Sequence, residues 1–248
     1  MIDNPFSLTG KTILVTGASS GIGKATALLC ARMGAVVILN GRNEERLSAV
    51  FEQLPGSHPQ PLPADLTIQS EREALVAALP ALDGIVHCAG TGHRKLCKQL
   101  TAEDVSAVMD TNFSATVLLQ SELLAQKRVK RGSSLVFLSS RTADVPTIAN
   151  ALYSASKGAI KSFARCLSLE LAPRQIRVNC ICPAMVWTPL VESEGVTKEE
   201  LEAREAEYPL KRYGQPEDIA SLAAFLLSDA SSWMTGSCID ITGGAVTV

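Results

Sequence analysis

The 248 residues, 46% apolar and 19% charged, suit one or two domains, show no Pro/Gly/Ser-rich linker at which to divide the chain, and can bury a large aliphatic core. A net charge of -2 gives no field to gather phosphate backbones, and the one basic run, Lys127-Arg128-Val129-Lys130-Arg131, is short, so nucleic acid is excluded as a partner. Seven cysteines without a C-x-x-C pair make neither a disulfide framework nor a zinc knuckle, and no stretch approaches the roughly 20 apolar residues that cross a bilayer, so reduced, mostly buried thiols in a cytoplasmic protein are expected.

In chain order, an apolar run at 12–16 precedes helical spacing at 21–33, and a second run at 36–40 precedes a helix at 44–54. A strand is expected near 60–64, although Pro61 and Pro63 remove ladder donors there. A helix at 71–79, a strand at 85–88 and a long helix at 102–124 follow. The last part alternates a strand at 134–139, a helix at 153–171, a strand at 176–181, a helix at 216–227 and a strand at 238–241. These runs are apolar on both faces, as a parallel sheet covered by helices on both sides requires. The pattern predicts an α/β fold: one Rossmann-like domain over residues 1–248, with a doubly wound parallel sheet of about seven strands. Residues 185–213 break the alternation. They are polar and hold acids at Glu192, Glu194, Glu199, Glu200, Glu202, Glu205 and Glu207, which read as the solvated face of a mobile helix in a substrate lid rather than as general acids or bases.

The first strand ends in Thr16-Gly17-Ala18-Ser19-Ser20-Gly21-Ile22-Gly23. Three glycines between strand and helix let a pyrophosphate approach backbone N–H groups at a helix N-terminus, although such a cluster also marks a plain tight turn. The second strand ends in Asn40-Gly41-Arg42. A carboxylate here would take the 2′-hydroxyl of NAD, whereas Arg42 offers a planar fork to a 2′-phosphate, which favours NADP (NADPH) over NAD. The alternative for Arg42 is a surface pair with Glu44 or Glu45.

Tyr153-Ser154-Ala155-Ser156-Lys157 sets a phenol and an ammonium one helical turn apart. A phenol near its ordinary pKa of roughly 10 is a poor proton shuttle at neutral pH, and a neighbouring cation favours its ionised form. Ser139-Ser140 ends an apolar strand, and in a doubly wound sheet strand carboxyl ends open onto the ligand crevice. His58, His87 and His93 lack metal-ligand spacing, and His87 falls on a strand where a satisfied core histidine is commoner, so no metal site is expected.

The glycine turn, Asn112 in Met109-Asp110-Thr111-Asn112, Ser140, Tyr153 and Lys157 together resemble the short-chain dehydrogenase/reductase family over almost the whole chain. The resemblance implies that Ser140 bonds the substrate oxygen, Tyr153 protonates it, Lys157 binds the nicotinamide ribose and tunes Tyr153, and Asn112 holds a relay water. It implies cofactor contacts at Gly17, Ser19, Ser20, Gly21, Ile22, Gly23, Asn40, Arg42, Asp65, Leu66, Cys88, Ala89, Gly90, Tyr153, Lys157, Pro183, Val186 and Thr188; the terminal Gly243-Gly244 also matches. Two departures stand out: the family's usual Asn-Asn-Ala-Gly reads His87-Cys88-Ala89-Gly90, and its Pro-Gly reads Pro183-Ala184. The lost amide puts the stability of the turn before helix 102–124 in question.

Within the family the chain is similar to bacterial 3-oxoacyl-[acyl-carrier-protein] reductases of fatty acid biosynthesis, in which an arginine pair receives the acidic carrier. Arg131 and Arg174 fall at matching positions, with a solvated helix end as the alternative. Reductases of sugars, steroids or small ketones look much the same outside residues 185–213, so an NAD(P)-dependent enzyme of that kind is the alternative reading, and a non-catalytic NADPH-binding protein a further one. The resemblance also implies a homotetramer, built through the helices at 102–124 and 153–171 and the last strand.

Overall fold

The computed structural model describes residues 4–192 and 197–245. Seven parallel strands, β1 (Thr12–Thr16), β2 (Val36–Gly41), β3 (Leu62–Pro63), β4 (Leu82–His87), β5 (Val129–Leu138), β6 (Arg177–Pro183) and β7 (Cys238–Ile241), form one sheet in the order β3-β2-β1-β4-β5-β6-β7. The order reverses between β1 and β4, so the carboxyl ends of those strands open onto the crevice where ligands bind in such sheets.

The two-sided apolar strands make two cores. Ile13, Val15, Val37, Leu39, Val86, Val136, Leu138 and Ile181 point to one face, where helices α1 (Gly21–Arg32) and α9 (Pro216–Leu227) pack. The alternate residues Leu14, Ile38, Ile85, Leu135, Phe137, Val178, Cys180 and Cys182 point to the other, beneath α3 (Gln69–Ala78), α5 (Ala115–Ala125) and α6 (Ala151–Leu171). Residue alternation on each strand therefore dictates which helix layer it meets. α2 (Glu44–Phe51) follows β2, capped by Asn43, whose side chain accepts from the Arg46 N–H.

Several expected boundaries shift. β3 is reduced to two residues, as its prolines require, and Asn40 Nδ2 reinforces it by donating to Leu62 O at 3.0 Å. β4 begins at Leu82 rather than residue 85, and β5 begins at Val129 because an irregular register joins Leu82–Val129 to Gly84–Ser134. The expected helix at 102–124 is two helices, α4 (Ala102–Met109) and α5, joined by a π-turn at Asp110–Ser114. The turn accommodates an extra residue where Asn112 sits, and such bulges cluster at functional sites.

Residues 185–213 carry α7 (Pro189–Glu192) and α8 (Lys198–Glu205); Glu194 lies outside the described residues. The acids here are not uniformly solvated, contrary to expectation. Glu205 accepts from Trp187 Nε1 at 3.0 Å and from the Tyr213 N–H at 2.7 Å, pinning α8 to an aromatic cluster of Trp187, Tyr208 and Tyr213. Among the described residues no helix is long and apolar enough to cross a membrane, and no group of three or more His, Cys, Asp or Glu is placed to hold a metal ion. All seven cysteines are free, with Cys30, Cys180 and Cys182 buried, Cys88 and Cys238 half-buried and Cys97 and Cys166 exposed, fewer buried than expected.

Candidate active site

Two connected hollows lie at the carboxyl edge of the sheet. The smaller, about 320 Å³, runs from the glycine turn past the end of β2 and is lined by Gly17, Ser19, Ser20, Gly21, Ile22, Gly23, Asn40, Arg42, Asp65, Leu66, Cys88, Ala89, Gly90 and Thr188. The larger, about 960 Å³, is lined by Ser140, Tyr153, Lys157, Pro183 and Val186, and shares Ile22, Cys88, Gly90 and Thr188 with the first. The structure thus gathers the expected cofactor residues along one continuous groove, and Asn112 packs beneath its floor at Gly90.

The glycine turn is built for close approach. Gly17 has φ +63°, and a Cβ there would stand 2.9 Å from Ala89 N; a Cβ on Gly23 would stand 2.2 Å from Gly17 O. Ser20 begins α1 without a side-chain cap, so the helix presents uncapped N–H groups and its positive dipole end to the cleft. These features fit a dinucleotide pyrophosphate.

At the end of β2, Arg42 is 67% exposed and lies 3.7 Å from Asp65 Oδ2, not beside Glu44 or Glu45. Burial alone would raise the Asp65 carboxyl, but bonds from the Thr67 hydroxyl and N–H and the Arg42 guanidinium hold it below the usual range. An exposed pair of this kind is worth about 0–1 kcal/mol, whereas charge-assisted bonds to a phosphate are worth about 1.5–3 kcal/mol, so a 2′-phosphate would displace Asp65 from Arg42. Arg46, one turn into α2, lines the same cleft. Sequence reading missed it because it looks like an ordinary cation on an exposed helix.

The departure at His87-Cys88 is repaired locally. The Cys88 and Ala89 N–H groups both donate to Thr16 Oγ1, at 3.2 and 3.3 Å, so the turn is anchored to the end of β1 without an amide side chain. His87 is a core residue, stacked on Phe137 with ring centres 4.4 Å apart and bonded through Nε2 to Gln120 Oε1 at 3.0 Å. Burial pushes its pKa down to about 4, which keeps the ring neutral.

Asn112 on the π-turn ties three elements together. Its Oδ1 accepts from the Thr91 N–H at 2.7 Å, and its Nδ2 donates to Thr91 O and to Ser156 Oγ, both at 3.0 Å. Ser156 in turn donates to Tyr153 O. Both Nδ2 protons are thus spent within the protein, and the side chain positions the first turn of α6 against the Gly90-Thr91 loop. Gly90 allows this close approach: a Cβ would lie 3.2 Å from Asn112 Oδ1 and 3.4 Å from Lys157 Nζ, so either side chain would have to give slightly.

Tyr153 and Lys157 occupy successive turns at the start of α6, with the Lys157 Nζ 5.8 Å from the Tyr153 ring centre. Lys157 is 6% exposed and donates to Leu138 O at 3.0 Å, while Ser139 Oγ donates to Lys157 O at 2.8 Å, clamping α6 onto the end of β5. Burial pulls the Lys157 pKa down to about 8. Ser140, 8% exposed, accepts from both the Thr142 N–H (3.2 Å) and the Thr142 hydroxyl (2.9 Å). With both lone pairs filled, its own O–H is left to donate, which is what a carbonyl or alkoxide oxygen in the cavity needs. Thr142 is thus a functional neighbour that the sequence did not single out.

Arg131 and Arg174 do come together, but at the opposite edge of the sheet. Arg131 donates to Pro173 O and Arg174 to Val129 O. β5 runs from Val129 to Leu138, just before Ser140, so at about 3.3 Å per residue the pair lies roughly 20 Å or more from this chain's own catalytic cavity.

Residues 17–246 match the family model described as Enoyl-(Acyl carrier protein) reductase. The 3-oxoacyl-[acyl-carrier-protein] reductase of Rickettsia felis is 34% identical over 97% of this chain and 99% of its own length, and the glucose 1-dehydrogenase of Gluconobacter oxydans is 37% identical over 95% and 91%. A solved short chain dehydrogenase/reductase family protein superposes with a TM-score of 0.86 at 30% identity, covering 96% of this chain and 98% of the other. With the seven-stranded sheet and the Ser140, Tyr153 and Lys157 cavity beside a dinucleotide cleft, the chain belongs to the short-chain dehydrogenase/reductase family, oxidoreductases that interconvert C=O and CH–OH with a nicotinamide cofactor.

Proposed function

We propose that the protein is an NADPH-dependent reductase that converts a ketone to a secondary alcohol, its preferred substrate a 3-oxoacyl thioester carried on acyl carrier protein. The observation that carries the reading is Ser140, whose oxygen is held by the Thr142 N–H and hydroxyl at the wall of the cavity that also holds Tyr153 and Lys157, where its own O–H can serve a substrate oxygen. Two hydroxyl donors on one oxygen suit a carbonyl that acquires negative charge as it is reduced.

The bound nicotinamide supplies the hydride. Ser140 orients the substrate oxygen, Tyr153 delivers the proton to it, and the Lys157 ammonium favours the phenolate that results. Lys157 also faces the region where the resemblance puts the nicotinamide ribose, and Asn112 keeps the first turn of α6 in place; holding a relay water is a further role proposed for it. Arg42 and Arg46 flank the cleft end suited to the adenosine 2′-phosphate, which supports NADP over NAD.

Leu138, Ile148, Met185, Val191 and Tyr208 give the larger cavity an apolar wall suited to an acyl chain. A carrier docked on Arg131 and Arg174 would serve the cavity of another copy rather than this one, which agrees with the homotetramer we also propose. Residues 185–213 act as the lid of a single NAD(P)-binding domain in a cytoplasmic enzyme. A second reading, a sugar or small-ketone dehydrogenase, is favoured by Thr91, Thr147 and Asn150 in the same wall.

The test is oxidation of NADPH and of NADH, followed by nicotinamide absorbance, with acetoacetyl thioesters of coenzyme A and of acyl carrier protein beside a panel of sugars and small ketones. NADPH-specific turnover that favours the carrier-linked thioester, weakens with salt and falls on charge reversal at Arg131 or Arg174 supports the proposal. Turnover with free ketones or sugars alone favours the second reading. Tight NADPH binding without turnover of any substrate indicates a non-catalytic NADPH-binding protein.

A further inference from the structure

The close cysteine pair in β6 and the cysteine that opens β7 have no place in the chemistry above, yet the sheet brings them together. β6 and β7 are parallel and in register at Cys180 and Cys238, so the two side chains stand on the same face of the sheet as direct cross-strand neighbours. Cys180 is buried and Cys238 is half-buried. Cys182 lies two residues along the same strand face, in register with Asp240.

α6 crosses this face and sets Lys157, Lys161 and Arg165 at four-residue intervals, a single cationic stripe above the three sulfurs. Lys161 is paired with Asp144, and both Lys161 and Arg165 lie close enough to Cys238 to favour its thiolate. The neighbouring Cys180 thiol and the cations Arg165 and Lys161 together outweigh burial and hold the Cys238 pKa below the ordinary thiol value. The interaction with Cys238 and burial push Cys180 the other way. The two sulfurs are thus chemically unequal: one, half-buried in the single chain, is a cation-stabilised nucleophile and the other a protonated neighbour.

We propose that Cys180 and Cys238 form an oxidisable dithiol, a modification site at which a hydroperoxide converts the pair into a reversible disulfide. The Cys238 thiolate attacks one peroxide oxygen and the O–O bond breaks. Cys238 becomes the sulfenic acid, and hydroxide leaves when the oxidant is hydrogen peroxide. The Cys180 sulfur then attacks the sulfenic sulfur, its proton and the sulfenic hydroxyl leave as water, and the S–S bond forms. The two thiols lose two electrons and the peroxide gains them.

The experiment uses the full chain with the exposed Cys97 and Cys166 changed to Ser, so that crosslinks between molecules do not compete. The protein is treated with limiting hydrogen peroxide, its remaining thiols are blocked, and it is digested with trypsin without reduction. Cleavage after Arg177 and Arg212 puts Cys180 and Cys182 on one fragment and Cys238 on another. A peroxide-dependent linkage between these fragments, removed by dithiothreitol, kept in Cys182→Ser and lost in Cys180→Ser, is expected. Faster alkylation by iodoacetamide at Cys238 than at Cys180 near neutral pH is expected as well, and it reads the unmodified protein, independent of how the variants fold. The proposal is overturned if the linkage survives Cys180→Ser, if Cys238 oxidises to sulfinic acid without forming a linkage, or if it alkylates no faster than Cys180.

Discussion

Lys157→Met should stabilise the folded protein while removing its activity. Folding moves the Lys157 pKa from 10.5 to about 8, chiefly by burial. At about 1.4 kcal/mol per pKa unit this depression penalises the charged form by roughly 3 kcal/mol at neutral pH. Methionine keeps the stem and removes the charge, but leaves Leu138 O without its donor, a loss of about 1–2 kcal/mol. The net gain is about 1–2 kcal/mol, which for a chain of this size raises Tm by roughly 3–6 °C. The sign with pH follows from the depressed pKa. Between about 8 and 10.5 the unfolded chain holds the proton that the folded chain has lost, so wild-type stability rises with pH in that window. The advantage of the variant is therefore full below pH 8 and closes toward 10.5. Calorimetry of the cofactor-free proteins at pH 7 and at pH 10 reads both effects. A variant less stable than wild type at neutral pH, or a difference that does not narrow at high pH, would refute the reasoning.

Arg42→Ala should raise the Kd for NADPH by about 10- to 150-fold and leave NADH within about 2-fold, measured by nucleotide fluorescence titration; equal losses for both would remove the phosphate assignment. Gly23→Ala puts a methyl 2.2 Å from Gly17 O and should abolish nucleotide binding and lower Tm; a variant that binds NADPH normally would show that the turn can open without consequence. Glu205→Ala removes the acceptor shared by Trp187 and the Tyr213 N–H, so KM for the ketone should rise about 10-fold or more while nucleotide Kd holds; a change in nucleotide Kd alone would contradict its assignment to the lid.

The strands could be read from sequence because both of their faces are buried, whereas the spacing of Tyr153 and Lys157 shows only that they share a helical face, and their proposed roles rest on the company of Ser140, Asn112 and the glycine turn. The π-turn at Asp110–Ser114 could not, since both helices that flank it are rich in apolar residues and no residue type in the turn breaks the run. Thr16 and Thr142 act through single hydroxyls, which leave no periodic or compositional trace. Glu205 looked like its acidic neighbours until Trp187 and Tyr213 folded against it. The positions of Arg131 and Arg174 were half legible: their matching positions made them a candidate pair, whereas the direction of β5, which puts Arg131 before the strand core and Ser140 after it, already implied opposite edges of the sheet.

In the proposed mechanism Tyr153 delivers the proton while the rest of the site binds. Its most direct test is Tyr153→Phe, with NADPH affinity and ketone turnover measured on the same preparation. An NADPH Kd within about 2-fold of wild type is expected, with turnover lower by about 10²- to 10⁴-fold, as for a lost general acid. Turnover close to wild type would take Tyr153 out of the mechanism.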